Sequence, residues 1–177
     1  MATSQEMQIV LALVDRYRAG EESNSKFTKH KVEELPVWSR MLPLHIVRTD
    51  DQEQKHPSFD GFAVPFKVLV TYMKDGHQGL ALQDSAYLFQ QVRKAEILLD
   101  STAFELENIV TPQQYKQPQV RRKIHNYGFY RFSQPLFSSD NSSAYIQVDE
   151  AGCRKSYRLL KKQGKWTIIH QLLFWVV

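Results

Sequence analysis

The sequence predicts one α+β domain in which a C-terminal antiparallel β-meander of about four strands packs against an N-terminal helix and a second helix. The 177 residues are the usual length of a single domain. From residue 127 to the end, strand-like segments alternate with turn residues about every ten positions, which is typical of an antiparallel sheet. An apolar stripe at helical spacing marks residues 4–18 as the N-terminal helix.

The composition is that of a folded globular protein, with 42% hydrophobic and 24% charged residues. The lone Cys153 excludes an internal disulfide framework and a zinc site built from several thiolates. From Lys116 onward eleven Lys and Arg residues accompany three acids, whereas the first 115 residues hold twelve against sixteen. This asymmetry is typical of a protein with an anionic partner, or of a solvated basic sheet face.

The predicted first helix has start and stop signals as well as an apolar stripe. Thr3 and Glu6 have the spacing of a capping box, and Gly20 is a suitable stop. The residues that recur every three or four positions should face the core: Met7, Val10, Leu11, Val14 and Tyr17.

The apolar run Met7–Val14 is too short to span a bilayer, and no basic residue precedes it. We therefore expect no membrane span and a cytoplasmic protein in the form given. A removed export signal would instead place the protein in the periplasm or outside the cell.

The middle of the chain has weaker signals. Residues 20–62 are predicted to be mostly irregular because polar stretches, Pro36 and Pro43 interrupt them, with a short strand at Leu44–Val47. Aromatic and β-branched residues alternate in Phe66–Met73, which favours a strand there, with a helix as the alternative over so short a run.

Further along, Asp84 is placed to cap the second helix, which should run to about Lys94. Short extended segments are expected at residues 95–99 and 106–110, and a helical turn within residues 112–123.

The four C-terminal strands are predicted at residues 128–137, 143–148, 155–161 and 165–177. Strict alternation in the last strand places His170 on the same face as Ile168. Both faces of this strand are apolar from Ile168 onward, so it should be central or covered. Its length, about 40 Å at 3.3 Å per residue, indicates a bend or bulge.

Parts of this C-terminal region resemble the ends of a group of uncharacterised bacterial proteins, many of which are predicted to be exported or to be lipoproteins. These proteins end in a pattern of the type Ser-x-Pro-x-Phe, Ala-x-x-Tyr, Leu-x-Lys-x-x-Gly-Lys-Trp and a final Trp. The group has no established activity, so the resemblance implies no catalytic residue. The matching positions are Ser133, Pro135, Phe137, Ala144, Gly164, Lys165, Trp166 and Trp175.

A weaker similarity is to NTF2-like domains, in which a helix packs into a curved sheet and late strands contain Gly-x-Trp. Gly164, Trp166 and Ile168 carry it. This resemblance implies a small-molecule pocket lined by the sheet.

Candidate ligand-binding residues follow from the strands. The six histidines include no pair at metal-binding spacing, so we expect no metal site and no cofactor. His170 in a sheet-lined pocket would serve as a general base or ligand, or else as a histidine satisfied by hydrogen bonds. With His170 we group three aromatic residues that a pocket of this kind would use: Trp166, Tyr130 and Tyr145.

Two further chemistries receive little support. Cys153 precedes Arg154 and Lys155, which would favour its thiolate, but no base is placed beside it. Four acids offer carboxylate pairs without any spacing that joins them on one element: Asp50 with Asp51, and Asp60 with Asp100.

A basic segment precedes an aromatic cluster in the second half of the chain. Arg121, Arg122 and Lys123 would supply phosphate contacts, and the aromatic residues from Tyr127 to Phe132 would stack on bases. The same aromatic residues would equally form a strand core.

No segment carries a catalytic motif, so no catalytic residue is predicted. We therefore expect a small non-enzymatic bacterial binding or interaction protein of immunity or accessory type, whose partner is another protein or a small molecule. Two alternatives stay open: an NTF2-like small-molecule pocket protein or enzyme, and nucleic-acid binding through the basic C-terminal half.

Overall fold

A computed structural model of the chain describes residues 4–19, 36–47, 62–66, 68–69, 85–92, 96–99, 109–127, 130–150 and 153–176, with backbone alone for residues 18, 125–127 and 172–176. It confirms the α+β class: helices accompany a mixed sheet of seven strands. The strands are β1 (Val37–Trp38), β2 (Arg40–Met41), β3 (Leu44–Val47), β4 (Phe62–Pro65), β5 (Ile97–Leu98), β6 (Ile109–Val110), β7 (Tyr130–Phe132), β8 (Leu136–Phe137), β9 (Ser143–Glu150), β10 (Cys153–Lys162) and β11 (Lys165–Val176). The helices are α1 (Gln5–Arg18), α2 (Ser85–Gln91), α3 (Pro112–Tyr115) and α4 (Pro118–Tyr127).

The large sheet has the strand order β11-β10-β9-β7-β1-β6, and β8 also pairs with β9. Strands β7 to β11 are antiparallel, as predicted, whereas β1 lies parallel to both β6 and β7. The short strand β1 comes from the first third of the chain, so it joins distant segments into one sheet. Two smaller pairs, β2 with β5 and β3 with β4, complete the described strands.

The two faces of the large sheet differ in chemistry. One face, here the helix face, includes Ala144, Ile146 and Val148 of β9 and packs in one core cluster with α1. The opposite face, here the polar face, is formed by alternate residues of β9 and β10. Its polar members are Ser143, Tyr145, Gln147, Asp149, Arg154, Ser156 and Arg158, and Arg131 of β7 joins them opposite Asp149.

Helix α1 confirms the predicted boundaries to within one residue. Ile9, Val10 and Leu13 are fully buried against the sheet, so the helix is held by its apolar side. The predicted capping box is wrong. Ser4 is the N-cap, and its hydroxyl accepts a hydrogen bond from the backbone amide of Met7 at 3.3 Å. An N-cap side chain bonds a backbone amide of the first turn, and Met7 is three residues after Ser4.

Helix α2 is fastened to the edge of β8 by one side chain. The side-chain amide of Gln91 donates to the backbone carbonyl of Phe137 at 2.9 Å. The backbone amide of Phe137 donates to the side-chain oxygen of Gln91, also at 2.9 Å. The side chain therefore completes the backbone pairing of β8 on the edge that faces away from β9.

Several predictions for the middle of the chain need correction. Within the described part of residues 20–62, which was expected to be mostly irregular, β1 and β2 form beside the predicted strand Leu44–Val47. The strand predicted from Phe66 onward is wrong for its described residues. The strand lies at Phe62–Pro65 instead, and Phe66, Val68 and Leu69 are helical. Proline ends a ladder because it has no amide hydrogen, and its fixed φ suits a helix start.

The helical turn predicted within residues 112–123 is longer than expected. Helix α3 starts with a capping box at Thr111, and α4 continues through Tyr127. The C-terminal sheet consequently begins at Tyr130, not at residue 127. The short extended segments at Ile97–Leu98 and Ile109–Val110 are confirmed.

The last strand, β11, contains the expected irregularity. Its pairing with β10 shifts register twice. Ile168 pairs with Leu159, whereas His170 pairs with Arg158. Since Leu159 and Arg158 lie on opposite faces, the prediction that His170 shares a face with Ile168 is wrong. The extra residue in the bulge moves His170 to the polar-face side.

Strand β11 ends the strand order, and among the described strands β10 is its one partner. Of the two alternatives predicted for β11, central or covered, the described strands exclude the central position, and helix α1 covers one side of the strand. Helix α1 packs on β11, and the Arg16 guanidinium donates to the Gln171 side chain at 3.4 Å. The turn into β11 is tight because Gln163 and Gly164 both have positive φ, as a two-residue hairpin requires.

The turn between β8 and β9 carries a titratable group. The Ser138 hydroxyl and then the Ser142 amide and hydroxyl donate to Asp140, which lowers the pKa of this carboxyl below its ordinary 3.8. A carboxyl whose pKa is lowered by folding stabilises the fold above its unfolded pKa, and this contribution disappears as pH falls through the folded pKa.

Substitution Asp140→Asn is therefore expected to lower stability at pH 7 by less than about 1 kcal/mol, since the carboxylate is exposed to solvent. The gap between the two proteins should narrow as pH falls through the ordinary value of 3.8 and should close only below the lowered pKa of the folded state, where both side chains are neutral. Thermal melts from pH 7 to pH 2 measure it, with Asp15→Asn as the exposed control. A gap that stays constant across this range would contradict the expectation.

None of the helices in the described residues is long and apolar enough to cross a membrane.

Candidate functional site

The polar face of the sheet is unusual because it is covered. A sheet face that carries polar residues normally meets water, and a covered face is normally apolar. Here Tyr145, Gln147 and Ser156 are fully buried, and Arg158 is 1% exposed. The cover is an apolar layer from strands β3 and β4, the helical residue Leu69 and helix α2. Its buried members are Leu44, Phe62, Val64, Leu69 and Leu88.

Asp149 organises one end of the polar face. Its carboxylate accepts from Arg131 at 2.5 Å and from two nitrogens of Arg154 at 2.6 and 3.0 Å. The Arg154 guanidinium also lies over the Phe62 ring, 4.5 Å from its centre. Two-point pairing with a carboxylate and stacking on a ring hold this guanidinium in one position.

A second ion pair holds the same end of the hairpin from the helix face. The Lys155 ammonium lies 2.7 Å from Glu150, and both side chains are buried. Tyr130 donates to the other oxygen of Glu150 at 3.4 Å. Adjacent acids thus bind cations on opposite faces, which sets the register of β9 against β10.

Buried polar atoms lie in the middle of the polar face. Gln147 donates to the Ala63 carbonyl at 3.2 Å and to the Tyr145 hydroxyl at 3.1 Å, but its Oε1 atom has no hydrogen-bond partner in the part of the chain that the structure describes. The hydroxyls of Ser156 and Ser143 also have none. Gln147 and Ser156 are directly opposite each other on β9 and β10. A buried polar atom without a partner costs about 1–3 kcal/mol.

The described residues give the polar face an excess of positive charge. Arg131, Arg154 and Arg158 lie on it, and Asp149 is the one carboxylate there among the described side chains. Arg158 is the largest fully buried side chain of those described. It lies between Tyr145 on β9 and His170 on β11, and His170 is exposed.

The four predicted ligand-binding residues divide between the two faces. Tyr145 is on the polar face and His170 is on the same side, as their pairing with Arg158 shows. Tyr130 and Trp166 are buried on the helix face, where their rings contact Tyr17 and Phe137. A cavity on one face therefore cannot bring all four together, and a ligand-binding role for each stays a prediction.

The remaining candidates lie elsewhere. The half-buried Cys153 thiol donates to the Glu150 carbonyl at 3.1 Å. Arg121, Arg122 and Lys123 are exposed on α4. The acids proposed as carboxylate pairs, Asp50, Asp51, Asp60 and Asp100, are outside the described residues.

The buried polar residues on β9 and β10 were not predicted from the sequence. Their signal was visible, because polar Ser143, Gln147 and Asp149 alternate with apolar residues along β9. Such alternation is ordinarily that of a strand with one solvated side. The cover over this side comes from residues about eighty positions away in the chain. The sequence of β9 itself does not indicate that such a cover exists.

No group of three His, Cys, Asp or Glu side chains that could hold a metal ion occurs in the described part of the chain. Comparison of the chain with protein-family models, curated proteins and solved structures finds no match in any of the three. The resemblances to the bacterial group and to NTF2-like domains therefore stay predictions.

Proposed function

We propose that this is a non-enzymatic binding protein that holds a small anionic molecule against the polar face. The observation that carries the proposal is that Ser156 Oγ and Gln147 Oε1, which belong to residues paired across β9 and β10, are both buried and have no hydrogen-bond partner among the described residues. Leaving both unpaired costs the fold about 1–3 kcal/mol each, and a ligand that bonds to them recovers this free energy.

The surrounding groups indicate the chemistry of the ligand. Guanidinium groups recognise carboxylate and phosphate oxygens through paired N–H donors. Gln147 Oε1 accepts a hydrogen bond only, so the ligand must also carry an O–H or N–H group. A small carboxylate with a hydroxyl or amino group fits both requirements.

The burial of these atoms favours a small molecule over a protein partner. The apolar cover packs directly on the polar face, as the contacts of Phe62 with Arg154 and of Ala63 with Gln147 demonstrate. The surface of another protein reaches these atoms only after that layer is displaced. The role as a bacterial immunity or accessory protein stays a prediction from the sequence.

The test measures ligand-induced stabilisation and affinity in the full chain. Malate and succinate differ by one hydroxyl group, and serine and propionate differ by an amino and a hydroxyl group. We expect the molecules with the extra donor to raise the melting temperature more. Calorimetric titration then gives the affinity.

Ser156→Ala separates binding from folding. Because the hydroxyl has no partner in the fold, its removal should leave the unliganded protein as stable or slightly more stable. The affinity for the preferred ligand should fall about fivefold, which corresponds to about 1 kcal/mol. Ser139→Ala, in an exposed turn, is the matched control. Destabilisation of the unliganded protein, or no response to any compound, would contradict the proposal.

A further inference from the structure

Helices α3 and α4 form an exposed basic surface that contains no residue of the polar face. Residues 109–127 contain four Lys and Arg residues and no Asp or Glu. All four cations are exposed. Together with the Tyr115 ring they define what is here called the basic helix surface: Lys116, Arg121, Arg122, Lys123 and Tyr115.

The arrangement of α4 accounts for this exposure. Ile124 is buried and Val120 is half-buried, so this side of the helix faces the protein. The intervening positions 121–123 are rotated away by about 100° per residue and spread across the outer side. Their charges are therefore presented to solvent around the outer half of the helix.

An aromatic ring belongs to the basic helix surface and lies beside its cations. Tyr115 is 37% exposed, one of two large hydrophobic side chains that are exposed among those described. Trp38 meets it edge to face at 5.6 Å, and the Arg121 guanidinium lies 5.8 Å from the ring centre. These contacts hold the ring beside the cations.

We propose that the basic helix surface binds single-stranded nucleic acid. Its charge complements a phosphate backbone, and the ring beside it offers a base a stacking surface. Of the four aromatic residues that the sequence indicated for stacking, Tyr130 and Phe132 are buried in the core, and the side chains of Tyr127 and Phe129 lie outside the described part of the chain. The exposed Tyr115 ring offers the stacking surface instead.

An anionic membrane is the competing partner for a basic surface, and the apolar side of α4 disfavours it. Membrane-surface helices bury an apolar face in the lipid. Here the apolar residues Val120 and Ile124 face the protein, so the outer side of α4 presents charge without an apolar anchor among the described side chains of this helix, which end at Ile124.

The experiment is fluorescence anisotropy of a labelled 20-nucleotide oligo(dT) with the full chain. With four phosphate contacts, the logarithm of the affinity should fall with that of salt at a slope of about −3, a loss of about 50-fold between 50 and 200 mM salt. Arg122→Ala with Lys123→Ala should reduce the slope to about −1.5. Tyr115→Ala should weaken binding at least about fivefold and leave the slope unchanged.

The control removes the same charge elsewhere. Lys162→Ala with Lys165→Ala changes two exposed lysines at the β10–β11 turn, and this double variant should bind as the parent does. Equal weakening by both double variants would show attraction by net charge and overturn the proposal. So would absence of oligonucleotide binding at 50 mM salt, or binding to phosphatidylserine vesicles without binding to the oligonucleotide.

Discussion

Substitution Asp149→Ala is expected to lower the free energy of unfolding by about 3–5 kcal/mol. The carboxylate binds Arg131 and Arg154 together, and the side chains of Asp149 and Arg154 are only 13% and 6% exposed. Removal of the acid leaves two largely buried guanidinium groups without the charge that they surround. A buried cation without its counter-ion costs far more than the pair contributes when intact.

Denaturant unfolding of the two proteins measures the difference. The matched control is Glu96→Ala, because Glu96 also pairs with an arginine, Arg40, at 2.6 Å. That pair is about 40% exposed on both sides, so its loss should cost less than about 1 kcal/mol. Similar effects of the two substitutions would show that burial does not strengthen the Asp149 cluster.

Substitution Gln91→Ala is expected to cost about 2–4 kcal/mol. The side chain both donates to and accepts from the backbone of Phe137, in a buried position. Without it, the Phe137 amide and carbonyl lose their partners, and each unsatisfied buried group costs about 1–3 kcal/mol. The two hydrogen bonds between α2 and β8 are lost, while Leu88 still packs α2 against the sheet.

Thermal and denaturant unfolding give the size of this effect. Gln90→Ala changes the preceding, exposed residue of the same helix, and it should alter stability by less than about 0.5 kcal/mol. Gln91→Glu is the more demanding variant, since it keeps the shape but replaces the amide donor with a carboxylate oxygen. A Gln91→Glu protein as stable as the parent would refute the role assigned to the amide.

Elements with local signals were predicted well. Helix α1 has a 3.6-residue apolar period, and residues typical of turns separate β9, β10 and β11 in the sequence. Both signals depend on residues within a few positions of each other. The bounds of these elements consequently agree with the structure to within two residues at most of their ends.

Elements that depend on distant partners were not predicted. Strand β1 has two residues, and it exists because β6 and β7 lie on either side of it. The bulge in β11 was expected from length alone, but its position, which moves His170 to the side of Arg158, follows from pairing with β10. A two-residue strand and a bulge of one residue leave no periodic pattern to detect.

The candidate site shows where local pattern ends and tertiary packing begins. Alternation along β9 and β10 is enough to state that Gln147, Ser156 and Arg158 share one face, because side chains alternate strictly in a strand. Whether that face meets water depends on Phe62, Ala63 and their neighbours, which are far away in the chain. Burial depends on contacts between segments that are distant in the chain. Because of the cover, residues whose alternation is typical of a solvated strand side form a buried polar layer instead.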